Sequence, residues 1–316
     1  MKMLSNVKKY KIVWLSRYSY HFFKYATGNI LRKIKNVLIL NISLIKNKKT
    51  ANTFKESEKI TSFNNLLYYR PHTIGIFLWP YICSNWNVEQ RVDNLVNHYQ
   101  TVETLGPPYD FHCAQELMLL DLDEIYPKLK IILDQPRWFQ REGQLTLNLH
   151  VDRFRAFSIA FNLETSSTGD LICFIGGIQG RKVKDINSLY KSISKSMYGL
   201  RTRDTIIEIL QMFCRHLNVK EILAVADECR HHRHPYFNKK EFPFNYNQAW
   251  KDRGGTISEN QNFYRIPVIA SRRNLNDVAS KKRALYRKRY LLLDEIEKQL
   301  QNSLANVKAT KSVEST

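Results

Sequence analysis

The sequence predicts an α+β fold: a mixed, mainly antiparallel sheet flanked by helices, with a basic helical arm before it and a long helix after it. Three observations carry this. Leu145, Leu147, Leu149 and Val151 alternate with Thr146, Asn148 and His150, the period of a half-buried strand, and two further strand-like runs follow across short turns. Helical periodicity precedes that block, in Val88, Val92, Leu95, Val96 and Tyr99. After it, an apolar stripe (Ile206, Ile207, Leu210, Phe213, Cys214, Leu217) leads within four residues to the apolar run Ile222 to Ala226, the layout of a parallel crossover.

Taken in order, residues 1–62 read as a basic amphipathic arm and linker, 63–303 as a single α+β domain and 304–316 as a disordered tail. Residues 1–55 hold thirteen Lys and Arg and no Asp or Glu, so much of the net charge of +20 sits here. Trp14, Tyr18, Tyr20, Phe22, Phe23 and Tyr25 are interleaved with those cations, a mix suited to an anionic membrane surface or to a solvated extension. Residues 46–62 are polar and without period, which predicts a linker. The run from Val37 to Ile45 is too short to span a bilayer. It also lies too far from Met1 for an ordinary signal peptide. Five cysteines at irregular spacing give no disulfide framework and favour a reducing compartment. The expected location is cytoplasmic, peripheral at the inner membrane.

Within the domain, Asn85 or Asn87 is placed to cap a helix over 87–105, which Gly106-Pro107-Pro108 stops. Residues 111–133 read as one helix or two short ones. Three strands follow, over 145–151, 155–163 and 171–178, and their short connections make an antiparallel meander. Helices are predicted over 186–198 and from Thr202, with Thr202 as N-cap or Thr205 and Glu208 as a capping box, and with Asn218 at the end. Phe263 to Ile269 is a final strand. Asp277 to Leu300 is a long helix with basic residues in its first half, against its dipole, so an acidic partner or an acidic face of the body is needed to offset them.

The stretch from Leu171 to Asp227 gathers the chemistry. Strand, glycines, polar helix entrance, helix and strand follow one another, bringing N–H donors and cations to one point, as a bound phosphate requires. Two seats are available. Gly177, Gln179, Gly180 and Arg181 form the first; Gly199, Arg201, Thr202 and Arg203 form the second, at a helix N-terminus. Each seat also has a plainer reading as a turn with solvated arginines. After the crossover strand, His231, His232 and Tyr236 are candidate proton-transfer groups. No metal is expected: the cluster from Cys229 to His234 lacks a CxxC pair or helical HxxxH spacing, and Arg230 and Arg233 would repel a cation. Nucleic acid is not an expected partner, because no recognition module accompanies the basic segments.

Several segments also resemble, in order, the VirK/YbjX-like family of Gram-negative bacterial proteins: Pro80-Tyr81 with Trp86, Glu89-Gln90-Arg91 and His98-Tyr99; Gly176 to Gly180; Tyr198 to Arg201; Ala224 to Asp227; Tyr246 with Trp250 and Gly254-Gly255; Phe263 to Pro267; and Lys282-Arg283 with Tyr286-Arg287. The resemblance spans about residues 65–300. Two departures, at Tyr198 and Thr202, fall in the second phosphate seat. The family implies a role in virulence and in resistance to cationic antimicrobial peptides, without a defined reaction. The element order is also similar to the GNAT acyltransferase fold, whose glycine loop and following helix hold acyl-CoA; here some twenty residues separate the two. Together these resemblances imply an acyl-CoA-dependent acyltransferase. Its acceptor would be an envelope lipid or a membrane-associated protein. The alternative is a non-enzymatic envelope-stress factor binding anionic lipid or an acidic partner.

Overall fold

The computed structural model describes residues 18–26, 28–237, 244–308 and 310–311. Strands β1 (Gln115–Asp121), β2 (Leu129–Asp134), β3 (Leu145–Val151), β4 (Phe154–Thr165) and β5 (Leu171–Gly180) form a continuous antiparallel meander. From β5 the chain crosses through α6 (Ile186–Ser196) and α7 (Thr202–His216) to β6 (Glu221–Val225), which lies parallel to β5. Then β8 (Phe263–Ile266) pairs antiparallel with β6, and β7 (Thr256–Ile257) closes that edge. At the other edge β9 (Thr310–Lys311) pairs with β1, giving the order β7-β8-β6-β5-β4-β3-β2-β1-β9.

Helices cover both faces, because neighbours in a strand point to opposite sides. In β4, Phe161 meets Phe213 of α7, while Asn162 Nδ2 donates to Asn94 Oδ1 of α5 (Val88–Leu105) at 2.7 Å. Asn87 caps α5 in a capping box with Gln90, and the chain leaves it through Gly106. The contact with α5 is a buried polar network. Tyr81 Oη accepts from Asn162 Nδ2 (2.7 Å) and Gln144 Nε2 (3.1 Å), and Tyr99 Oη donates toward Gln135 and Gln144. Such a network fixes one register of helix on sheet, since each partner lost would leave a desolvated polar atom.

Three sequence expectations are corrected. Residues 111–133 contain β1 and β2 rather than helix. A bulge between Met118 and Leu120 buries Leu119 and Leu120 together, so strict alternation is lost and the run Leu117 to Leu120 mimics a helical cluster. Residues 46–62 are not a linker. They form α3 (Lys48–Glu56), a short 3₁₀ turn and the start of α4 (Thr61–Tyr69), and Phe54 is wholly buried against Phe63 and Phe77. One aromatic on an otherwise polar helix is enough to seat it, although no sequence period announces it. Residues 304–311 are not a disordered tail where described: α9 (Ser280–Asn306) buries Leu304 and β9 follows.

The arm divides. Tyr18 and Phe22, from a helix α1 over 18–25, enter the core rather than a lipid interface, and Tyr18 Oη donates to Glu58. Trp14 and the other residues before 18 lie outside the described residues. The basic half of α9 needs no external acid for two of its arginines. Arg289 donates through Nε (3.0 Å) and Nη2 (2.7 Å) to the Tyr198 carbonyl, and Arg283 donates to the carbonyls of Val278 and Asn276. Among the described residues no helix is long and apolar enough to cross a membrane. All five cysteines are buried and unbridged.

Candidate active site at the ends of the parallel strands

Strands β5 and β6 pair only as far as Ile175 with Ala224. Beyond that point β5 continues along β4 to Gly180, while β6 gives way to a 3₁₀ turn over Asp227–Cys229. Open α/β sheets bind ligands outside the carboxyl ends of such parallel strands. Here the ends converge on Glu142, delivered by the turn before β3. Gly176 is the bulge residue, since Ala160 pairs with Gly177 and Phe161 with Ile175. A Cβ on Gly176 would lie 2.1 Å from the Glu142 carbonyl oxygen, and one on Gly177 would lie 1.8 Å from Glu142 Oε2. The glycines expected to form an open phosphate loop are therefore strand residues, and what Gly177 admits is the Glu142 side chain.

The histidines come from the other strand. Asp227 Oδ1 accepts from the Tyr246 N–H (3.0 Å) and lies 3.3 Å from Arg230, and its second oxygen pairs with Arg233. The Arg230 guanidinium also stacks over the Tyr246 ring, 4.5 Å from its centroid. This frame holds the turn His231–Arg233, so that His231 Nε2 is 3.9 Å and His232 Nδ1 3.8 Å from the same oxygen, Glu142 Oε1. The two imidazole centroids are 3.8 Å apart. Glu142 and His231 are buried, whereas the His232 side chain keeps 36% of its surface exposed. One carboxylate can balance one imidazolium; a second would sit at ring contact with the first. The arrangement suits a single proton moving between the exposed imidazole and the buried groups.

Arginine and aromatics wall the site. Arg141 stacks on Trp79 (4.4 Å), Phe237 (5.2 Å) and Tyr236 (5.4 Å), and burial lowers its pKa. Tyr246 Oη accepts from the Ile178 N–H at 3.1 Å, filling the gap where β6 has left β5. Burial first, and then the Glu142 charge, push that phenol well above its ordinary value. Phe237 packs on both imidazoles. Tyr236 is exposed and belongs with Arg141 and Phe237.

The remaining predicted site residues lie apart. Gln179 and Arg181 are exposed, while Gly180 packs under Tyr190, whose hydroxyl accepts from the Arg181 N–H at 2.9 Å. The second seat meets the same residue from its other end, through Thr202 Oγ1 and the Tyr190 carbonyl at 3.5 Å. Thr202 is not the N-cap. Arg201 holds that position without a side-chain bond, and Glu208, expected in a capping box, pairs with Arg253 instead. Arg203 is engaged by Asp204 (2.9 Å) and Asp252 (2.7 Å), and Arg201 lies 3.9 Å from Asp252. Two carboxylates thus stand where the helix entrance was expected to offer free cations. Gly199, at φ +79°, serves the turn against α9. Gly177 is brought to Glu142, which faces His231 and His232; the stretch from Gly199 to Arg203 is a separate platform.

Glu142, Arg141 and Trp79 were not among the predicted site residues. The available signal was the glycine pair at 176–177, which marks a close approach without saying by what. Glu142, His231 and His232 do offer three metal-ligand atoms within 4.8 Å of one another.

Residues 29–302 match the family model described as "Protein of unknown function (DUF535)". The chain belongs to the DUF535 family. It is 27% identical to "Uncharacterized protein YbjX" of Escherichia coli K12 over 265 residues, 82% of this chain and 80% of that one. Two Haemophilus influenzae proteins, each an "Uncharacterized protein", are 25% identical over 186 residues (58% of this chain, 61% of that one) and 27% over 236 (72% and 75%). The YbjX-like resemblance read from the ordered motifs is borne out, and the family match reaches further back than those motifs, to the turn before α2 (Ile30–Lys46). No solved structure matches the fold.

Proposed function

We propose that the chain is an acyltransferase in which Glu142, His231 and His232 take the proton from an acceptor amine or hydroxyl. The observation that carries this is the convergence of two imidazoles, those of His231 and His232, on Glu142 Oε1 at the carboxyl ends of the parallel pair β5 and β6. His232, the exposed member, is the group an acceptor reaches; Glu142 stabilises the imidazolium that forms. His231 is a positioning residue, packed against the His232 ring. The separations are ion-pair rather than hydrogen-bond distances, as is common before a substrate draws such groups together.

The sheet order, with one parallel pair inside an antiparallel sheet and a bulge at Gly176, supports the GNAT-like reading, which is analogy of layout. Acyl-CoA supplies an activated thioester. Its phosphates would be held by the exposed Arg181 of the first seat, rather than by Arg201 and Arg203, which both face Asp252. With His232 accepting the proton, the acceptor heteroatom bonds the acyl carbon, the carbon–sulfur bond breaks and the thiol leaves with the proton that His232 returns to it. An envelope lipid or membrane-associated protein is the proposed acceptor.

Calorimetric titration with CoA and with acyl-CoA tests the donor. Saturable binding, weakened by Arg181→Ala, is the expected result; no binding at millimolar ligand overturns it.

A further inference from the structure

Helix α2 is amphipathic in the wrong sense for a helix of a soluble domain. Its inner side seats Leu40 and Leu44 in the core and turns Ser43 to the Phe77 carbonyl at 2.9 Å. At the 3.6-residue period, Leu31, Ile34, Leu38, Ile42 and Ile45 line the opposite side, and all five are exposed. Leu31 and Ile45 retain 73% and 69% of their surface. They lie fourteen positions apart, so the strip is about 20 Å long at 1.5 Å per residue. Scattered exposed leucines are ordinary; a continuous strip this long marks an interaction surface.

The charge beside the strip selects the occupant. Arg32, Lys35 and Lys46 are exposed along its flank, and the helix holds no acidic residue. A second copy of the chain would bring like charges together along the seam. An anionic lipid bilayer accepts both features, the apolar strip at the level of the acyl chains and the cations at the headgroups. The helix has 17 residues and does not meet the length and hydropathy needed to cross a membrane, so it would lie in the surface plane.

We infer that the outer face of α2 is a docking surface for anionic phospholipid bilayer. This stands independently of the transfer chemistry, since none of its residues belongs to the site at Glu142. The test is co-sedimentation of the full chain with vesicles of phosphatidylglycerol and phosphatidylethanolamine, and with phosphatidylcholine alone. Binding to the anionic vesicles is expected to exceed binding to the neutral ones at least tenfold, and Leu38→Gln with Ile42→Gln to reduce it at least tenfold. Leu31→Gln with Ile45→Gln, at the most exposed positions, serves as the second variant should the first fail to fold. Equal binding to both vesicle types overturns the inference, as does binding that neither variant changes. So does absent vesicle binding with a concentration-dependent dimer that the variants dissolve, which would assign the strip to a second copy.

Discussion

Glu142 and Gly177 share one space: the Glu142 carboxylate occupies the position that any side chain at residue 177 would need, with Oε2 1.8 Å from the site of a Cβ. At Gly176 the obstacle is different, the Glu142 backbone oxygen at 2.1 Å. A side chain can rotate away, whereas a backbone between two strands cannot.

Gly177→Ala is therefore expected to cost about 1–3 kcal/mol, the usual cost of overpacking. Adding Glu142→Ala should recover most of the loss, because the atoms in the way are the far end of the removed side chain. Gly176→Ala should cost as much or more and gain nothing from Glu142→Ala. Urea midpoints of the four proteins and the two doubles give the coupling; equal coupling for both glycines would refute this account of the pair.

Three buried imidazoles set an acid limit on stability. Burial holds His98 down to about 3. It does the same for His72 and His150, both to about 4, with Arg137 and Arg155 respectively adding to it. All three are neutral when folded and protonate near 6.5 when unfolded, so unfolding takes up protons as the pH falls. Their stability contribution is whole above about pH 6.5 and is lost progressively as the pH drops toward 4 and then 3. At pH 5 each costs about 2 kcal/mol relative to pH 7.5. His98→Gln should flatten the slope of unfolding free energy between pH 7 and 5 by about one proton's worth; an unchanged slope would contradict it.

Phe54→Ala should destabilise the chain by about 3–5 kcal/mol, as for a fully buried aromatic, and removal of residues 1–55 should prevent cooperative folding. Heat unfolding of both proteins checks this. A truncated chain with an unchanged transition would mean that the N-terminal helices are a detachable arm after all.

These residues also show where sequence reading reaches. The meander from β3 to β5 and the crossover to β6 were legible, because Leu145 to Val151 keeps strict alternation and the α7 stripe keeps a helical period. Asn87 was legible as a cap because its chemistry is local. The bulge at Leu119 and Leu120 hid a strand, since burying two consecutive leucines erases the period. Phe54 was hidden because tertiary packing, not local pattern, seats α3. In the site, His231 and His232 stood out by following a crossover strand. Glu142 did not, because its role depends on two glycines more than thirty residues away in sequence and on nothing beside it. Arg203 misled for a similar reason: of its two partners only Asp204 is beside it in sequence, Asp252 is remote, and a paired arginine looks the same in sequence as a free one.

The central claim is that protons move through His232 and Glu142 during acyl transfer, and thiol release from acyl-CoA in the presence of an amine or hydroxyl acceptor measures it most directly. Across donors from acetyl to palmitoyl, the wild-type chain is predicted to release thiol in an acceptor-dependent way for at least one chain length. His232→Ala and Glu142→Gln are predicted to slow that release about 100-fold or more while leaving donor binding intact. Release at the same rate in all three proteins, or at the buffer rate for every donor with folded wild-type protein, would contradict the claim.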